Sequence, residues 1–111
     1  MDHTITQYKR CDVLKINGPI DHSNAHELEQ ILQNLHESGR STVVLDMTDV
    51  DFIASAGWWV LIRAHIARSK MKRGQVLLVG MRQPIRDSMK IVGIGPYFKI
   101  YDDLAGALGN I

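Results

Sequence analysis

The feature that most constrains this chain is the run Thr42-Val43-Val44-Leu45-Asp46, whose centre is apolar without alternation. A half-exposed strand alternates apolar and polar residues. A short continuous run predicts a strand buried on both faces, and such a strand needs packed layers above and below its sheet. Helical patterns flank it. Ala25, Leu28, Ile31, Leu32 and Leu35 fall on one stripe over about Asn24–Ser38, with Gly39 as the stop. Trp58, Leu61, Ile62, His65 and Ile66 fall on another over about Ala56–Met71. A buried strand between two helices predicts βαβ connections and largely parallel pairing.

The remaining pieces fit the same α/β plan. Thr4–Tyr8 alternates as a half-exposed strand, and Val13–Ile16 is a more buried one. Lys9–Asp12 is short enough to join them as a hairpin, with Cys11 expected as a small half-buried side chain near the turn. Gln75–Val79 is a further buried strand. Pro84 suits the first turn of a short helix whose core face is Ile85, Met89 and Val92. Gly93-Ile94-Gly95-Pro96 breaks that helix. Tyr97–Tyr101 reads as a last strand, and Asp102 as the cap of a last helix carrying Leu104, Ala107 and Leu108. At 111 residues the whole is expected to be one domain, 1–111. No apolar run approaches the roughly 20 residues of a membrane span, and Met1-Asp2-His3-Thr4 lacks a secretory start. The expectation is a cytoplasmic protein with no membrane insertion.

The residues between the central strand and the second long helix are where chemistry is sought. Met47 to Ile53 is expected as a loop above the strand's carboxyl end, the edge of an α/β sheet where function tends to sit. Ser55 follows it at the strand-to-helix junction. Its oxygen can cap the helix by accepting from a free backbone N–H. The same N–H groups and the helix dipole would stabilise a phosphate there. Ser55 is therefore either an ordinary cap or a switchable site. Trp59, at the margin of the apolar face one turn on, is either a partner contact or packed against a neighbouring loop.

Several other chemistries are excluded. Ile53-Ala54-Ser55-Ala56-Gly57 lacks the first glycine of a hydrolase elbow. The only later histidine, His65, lies inside the same helix, so no general base follows in the usual order. No catalytic residue is expected. His22, His26 and Glu29 share a region, but no third zinc ligand stands at a telling spacing, and neither metal nor cofactor is expected.

Net charge is +1, unevenly spread. Residues 1–55 hold four Lys/Arg and nine Asp/Glu, whereas residues 56–90 hold eight Lys/Arg and Asp87 alone. Arg63, Arg68, Lys70, Lys72, Arg73, Arg82, Arg86 and Lys90 are thus either a basic side that steers an acidic partner or solvated helix faces. No aromatics are interleaved among them, so direct nucleic-acid binding is not expected.

Val43-Val44-Leu45-Asp46, then Val50-Asp51-Phe52-Ile53, then Ser55-Ala56-Gly57 and an apolar helix, together with Gly18-Pro19-Ile20-Asp21 ahead of Ala25 and Leu28, resembles the STAS domain of bacterial anti-sigma factor antagonists. The resemblance spans nearly the whole chain. It implies a mixed four- to five-stranded sheet with about four helices. It also implies binding to an anti-sigma factor that is a serine kinase, in a partner-switching pathway, by a monomer or weak dimer. The implied docking residues are Asp21, Ser23, Asp51, Ile53, Ala54, Ser55, Ala56 and Gly57; Trp59 joins them from its place at the margin of the apolar helix face, a position that is commonly small or charged in the family. The family motif often reads Asp-Ser-Ser-Gly, with the second serine phosphorylated. Here the four positions read Ala54-Ser55-Ala56-Gly57: Ala56 stands at the phosphoserine position and Ser55 matches the other serine, one residue early, so the protein either accepts a phosphate on Ser55 or binds without being switched. STAS domains also serve as accessory subunits of membrane transporters, including lipid-transport complexes, and a scaffold role in a signalling assembly is a further alternative.

Overall fold

The computed structural model describes all residues, Met1–Ile111. Five strands form one sheet in sequence order, β1 (Asp2–Gln7), β2 (Asp12–Asn17), β3 (Thr42–Asp49), β4 (Gln75–Val79) and β5 (Lys99–Tyr101). β1 and β2 pair antiparallel across the hairpin, and every later pair is parallel. The helices are α1 (Ala25–Glu37), α2 (Ser55–Ser69), α3 (Gln83–Val92) and α4 (Leu104–Leu108). The mixed sheet and four helices are those expected from the sequence.

The two faces of the sheet are covered unequally. One carries a cluster of 22 buried residues, among them Leu14, Ile16, Leu45, Leu78, Trp58, Leu61 and Ile85, beneath α1, α2 and α3. The other carries only six, including Val13, Val44, Leu77 and Ala107, beneath the short α4. Val43, Val44 and Leu45 alternate between these clusters. Both directions of their side chains are buried, which is why the run needs no polar member.

Several boundaries differ from expectation for local reasons. β3 runs on to Asp49, so Met47 is a buried strand residue rather than part of a loop. Its extension is held by Gly18, whose N–H donates to the Asp49 carbonyl at 2.9 Å. Cys11 is 1% exposed, fully buried rather than half. Ile66, assigned by spacing to the core face of α2, is 46% exposed; seven residues after Trp59, it lies about 20° from that exposed side chain around the helix. Tyr97 belongs to a 3-10 turn, Gly95–Tyr97, ahead of a shorter β5. Asp103, not Asp102, caps α4, its Oδ1 accepting from the Gly106 N–H at 2.8 Å. α3 ends at Gly93 with φ of 80°, a left-handed position that a side chain would resist.

Arg68 is the largest departure. Expected on a basic surface, it is 1% exposed, turned from α2 toward α1. Its guanidinium donates to the Leu32 carbonyl at 2.8 Å and the Ala64 carbonyl at 3.3 Å, while Nε has no partner. Burial lowers its pKa from the ordinary arginine value.

Candidate functional site

The loops after β2 and β3 are joined by two hydrogen bonds outside the sheet proper. The Ile20 N–H donates to the Phe52 carbonyl at 2.9 Å, and the Ala54 N–H to the Ile20 carbonyl at 2.8 Å. This bridge sets the turn before α1 beside the start of α2. Asp21 and Ser23 are thereby brought to the same end of the sheet as Asp51, Ala54 and Ser55, although about thirty residues separate them in sequence.

Gly57 lets the two segments approach. A Cβ placed on it would lie 2.7 Å from Ile20 Cγ2 and 2.9 Å from Ile53 Cγ1. Ile53 and Gly57, expected among the docking residues, are buried. Gly57 shapes the site from beneath, whereas Ile53, 4% exposed, forms part of the wall of the groove beside Ser55. Ala56 is half-buried and packs against the main core.

Ser55 is the first residue of α2 and is exposed. It does not cap the helix. The N-cap position is Ala54, in an extended conformation with φ −79° and ψ 162°, and no side chain caps this end. Ala54 instead accepts backbone N–H bonds from Gly57 and Trp58 through its carbonyl. The Ser55 hydroxyl thus stands at an uncapped positive helix end. Asp21 is held in its own turn, its Oδ1 accepting from the Ser23 backbone N–H at 2.9 Å and the Ser23 hydroxyl at 2.5 Å. Those bonds hold the Asp21 carboxyl below the usual range.

An open groove of about 600 Å³ runs from Ser55 to α3, lined by Phe52, Ala54, Ser55, Pro84, Ser88 and Ile91, among others. Phe52 is 53% and Ile91 87% exposed, and Trp59, one turn along α2, is 49% exposed. Trp58 is completely buried, and its indole N–H donates to the Ser88 hydroxyl at 3.0 Å. Sequence reasoning missed Phe52, Pro84, Ser88 and Ile91. The available signal was Ile91, an isoleucine off the stripe set by Ile85, Met89 and Val92. His65 is no partner for Ser55: its Nδ1 accepts from the Val76 backbone N–H at 3.1 Å.

Charge is partly sorted along the strand direction, with Lys15 on Asp49 at 3.4 Å at the acidic end and Asp12 beside Arg40 at 3.5 Å at the basic end. The parallel strands all end at the Ser55 end, where Asp21, Asp46, Asp49, Asp51, Asp102 and Asp103 collect. Lys9, Arg10, Arg40, Lys70, Lys72 and Arg73 collect at the opposite end. The single basic side expected from Arg63 through Lys90 does not form. Besides buried Arg68, Arg63 pairs with Glu29 and Arg86 with Asp102, each at 2.8 Å, and Arg82 donates to the Thr48 carbonyl at 3.0 Å.

The fold and this loop geometry define a mixed-sheet α/β domain with a groove at the carboxyl ends of its parallel strands. The STAS domain model matches residues 3–107, and the chain belongs to the STAS domain family. It is 26% identical over 115 residues to the anti-sigma-F factor antagonist RsfB of Mycobacterium tuberculosis, covering 97% of this chain and 87% of that one. The crystal structure of an anti-sigma factor antagonist from Mycobacterium paratuberculosis superposes with a TM-score of 0.86 at 22% identity, over 99% of this chain and 92% of that one. The Bacillus cell fate determinant SpoIIAA in its phosphorylated form superposes with a TM-score of 0.72 at 15% identity, over 98% of each chain. At such identities the two structural likenesses speak for the fold. No helix is long and apolar enough to cross a membrane.

Proposed function

We propose that this protein is a non-catalytic anti-sigma factor antagonist. It docks an anti-sigma factor with serine kinase activity at the Ser55 end, and phosphorylation of Ser55 ends the complex. The observation that carries the reading is the exposed Ser55, at the uncapped start of α2, opening onto a groove rimmed by Phe52 and Ile91. Large exposed apolar side chains around a polar centre are what a protein partner covers. The resemblance to RsfB, an anti-sigma-F factor antagonist, supports the class of partner.

The switch follows from electrostatics. A phosphate adds roughly −1.5 to −2 charges at neutral pH. The N–H groups of the α2 start stabilise it in the free protein. In a complex it would be buried between Phe52 and Ile91 and must shed water, which is costly for an ion. Phosphorylation thus opposes docking by desolvation. Incubation with the cognate kinase and ATP, followed by intact-mass analysis, tests the switch. The expected result is one added phosphate, lost in Ser55→Ala; an unmodified mass removes phosphorylation from the reading.

A further inference from the structure

The end of the molecule away from Ser55 carries a second concave site. Arg10, Ser41, Thr42, Lys72, Arg73 and Ile111 line a pocket of about 490 Å³, within the size range of small-ligand sites. Three of the six are cationic, and none of the three has a side-chain carboxylate partner. Arg40 beside them is already engaged, with Asp12 at 3.5 Å and with the Tyr8 and Cys11 carbonyls. Arg10 donates only to a main-chain oxygen of Ile111, at 3.3 Å.

The backbone supplies an independent observation. Arg73 has φ of 60° and is the only non-glycine residue with positive φ. Glycine or asparagine fits that conformation at lower cost. The adjacent Gly74 cannot relieve the strain by exchanging roles, because a Cβ at position 74 would collide with the Arg68 carbonyl. The strained turn is locked from the sheet, where buried Thr42 donates its hydroxyl to the Arg73 carbonyl at 2.8 Å. A strained residue held by its surroundings is a pointer to function. Here it holds an arginine at the rim of a cationic pocket.

The geometry points to a binding site for a phosphate-bearing anion, held by Arg10, Lys72 and Arg73 with the Ser41 hydroxyl. Arginine forks match phosphate oxygens in pairs, and the partial sorting of charge along the strands draws an anion to this end. The site lies at the opposite end of the sheet from Ser55, so it is independent of the docking reading.

Titration calorimetry at low salt with tripolyphosphate, and co-sedimentation with vesicles of phosphatidylcholine with and without phosphatidic acid, test the site. Saturable binding of tripolyphosphate alone assigns the ligand to free phosphates; binding only to phosphatidic acid vesicles assigns it to a lipid headgroup. In either case the Arg10→Gln, Arg73→Asn double variant is expected to weaken binding about tenfold or more, and Arg82→Gln at the other end to leave it unchanged. Arg73→Asn suits positive φ, so the variant is expected to fold, as circular dichroism would verify. Absence of binding to both probes, equal binding by the double variant, or equal affinity for a tetraglutamate peptide would overturn the proposal.

Discussion

The Trp58 indole N–H donates to the Ser88 hydroxyl at 3.0 Å, and this bond ties the first turn of α2 to α3 beneath the Ser55 groove. Trp58 is wholly buried, so its N–H has no water to fall back on. Ser88→Ala is expected to destabilise the fold by about 1–3 kcal/mol, the cost of an unpaired buried donor. Trp58→Phe in that background should cost less than the two single changes summed. Denaturant unfolding of the four proteins measures both.

Gly57→Ala places a methyl group against Ile20 and Ile53. Both isoleucines are buried and cannot swing into solvent. The expected loss is about 1–3 kcal/mol from overpacking, seen as a lower Tm. Ile53→Ala in the same protein, which removes the Cγ1 atom met at 2.9 Å, should cost less than it does in the parent protein.

Arg68→Ala removes a buried cation that satisfies the Leu32 carbonyl, and it leaves a void. A loss of about 2–5 kcal/mol is expected, as for other large-to-small changes that leave a buried cavity. Arg68→Met keeps the volume without the charge and should cost markedly less in the same denaturation assay.

His65 is half-buried, and burial lowers its pKa from the ordinary histidine value. Its Nδ1 must stay unprotonated to accept from Val76. The unfolded chain therefore binds a proton more readily than the folded one. Stability from this residue is complete above the ordinary value of about 6.5 and declines as pH falls below it. His65→Asn, which can still accept from Val76, should flatten that part of the stability-against-pH curve, measured by denaturant unfolding between neutral and mildly acid pH.

Ser55→Ala is expected to keep docking to the anti-sigma factor intact, because the residue supplies little contact area. Ser55→Glu introduces a charge into the groove and should weaken the complex about tenfold or more. Phe52→Ala and Ile91→Ala should each cost about 1–2 kcal/mol of binding, as apolar rim residues buried by a partner do. Calorimetric titration with the cognate anti-sigma factor reads all four.

Local patterns made much of the fold legible. The unbroken Val43-Val44-Leu45 run marked a strand buried on both faces, and the stripes of α1 and α2 gave their positions within a residue or two. Periodicity failed where burial depends on what lies opposite. Ile66 keeps the spacing of a core residue but faces solvent, and Arg68 has the chemistry of a surface residue but lies inside. Ser55 was placed correctly at the head of α2, but its role as a cap was not: Ala54 holds that position, leaving the hydroxyl free.

The order of residues determined which segments become strand or helix, because periodic apolar faces are local properties of the chain. It also placed one hydroxyl at the head of the second long helix. Only the tertiary structure decided that Phe52 and Ile91, thirty-nine positions apart, rim one groove, and that six aspartates and six basic residues separate to opposite ends. The physical reason is the parallel sheet: every strand runs the same way after β1, so loops distant in sequence gather at one edge, and their side chains meet only when the strands pair.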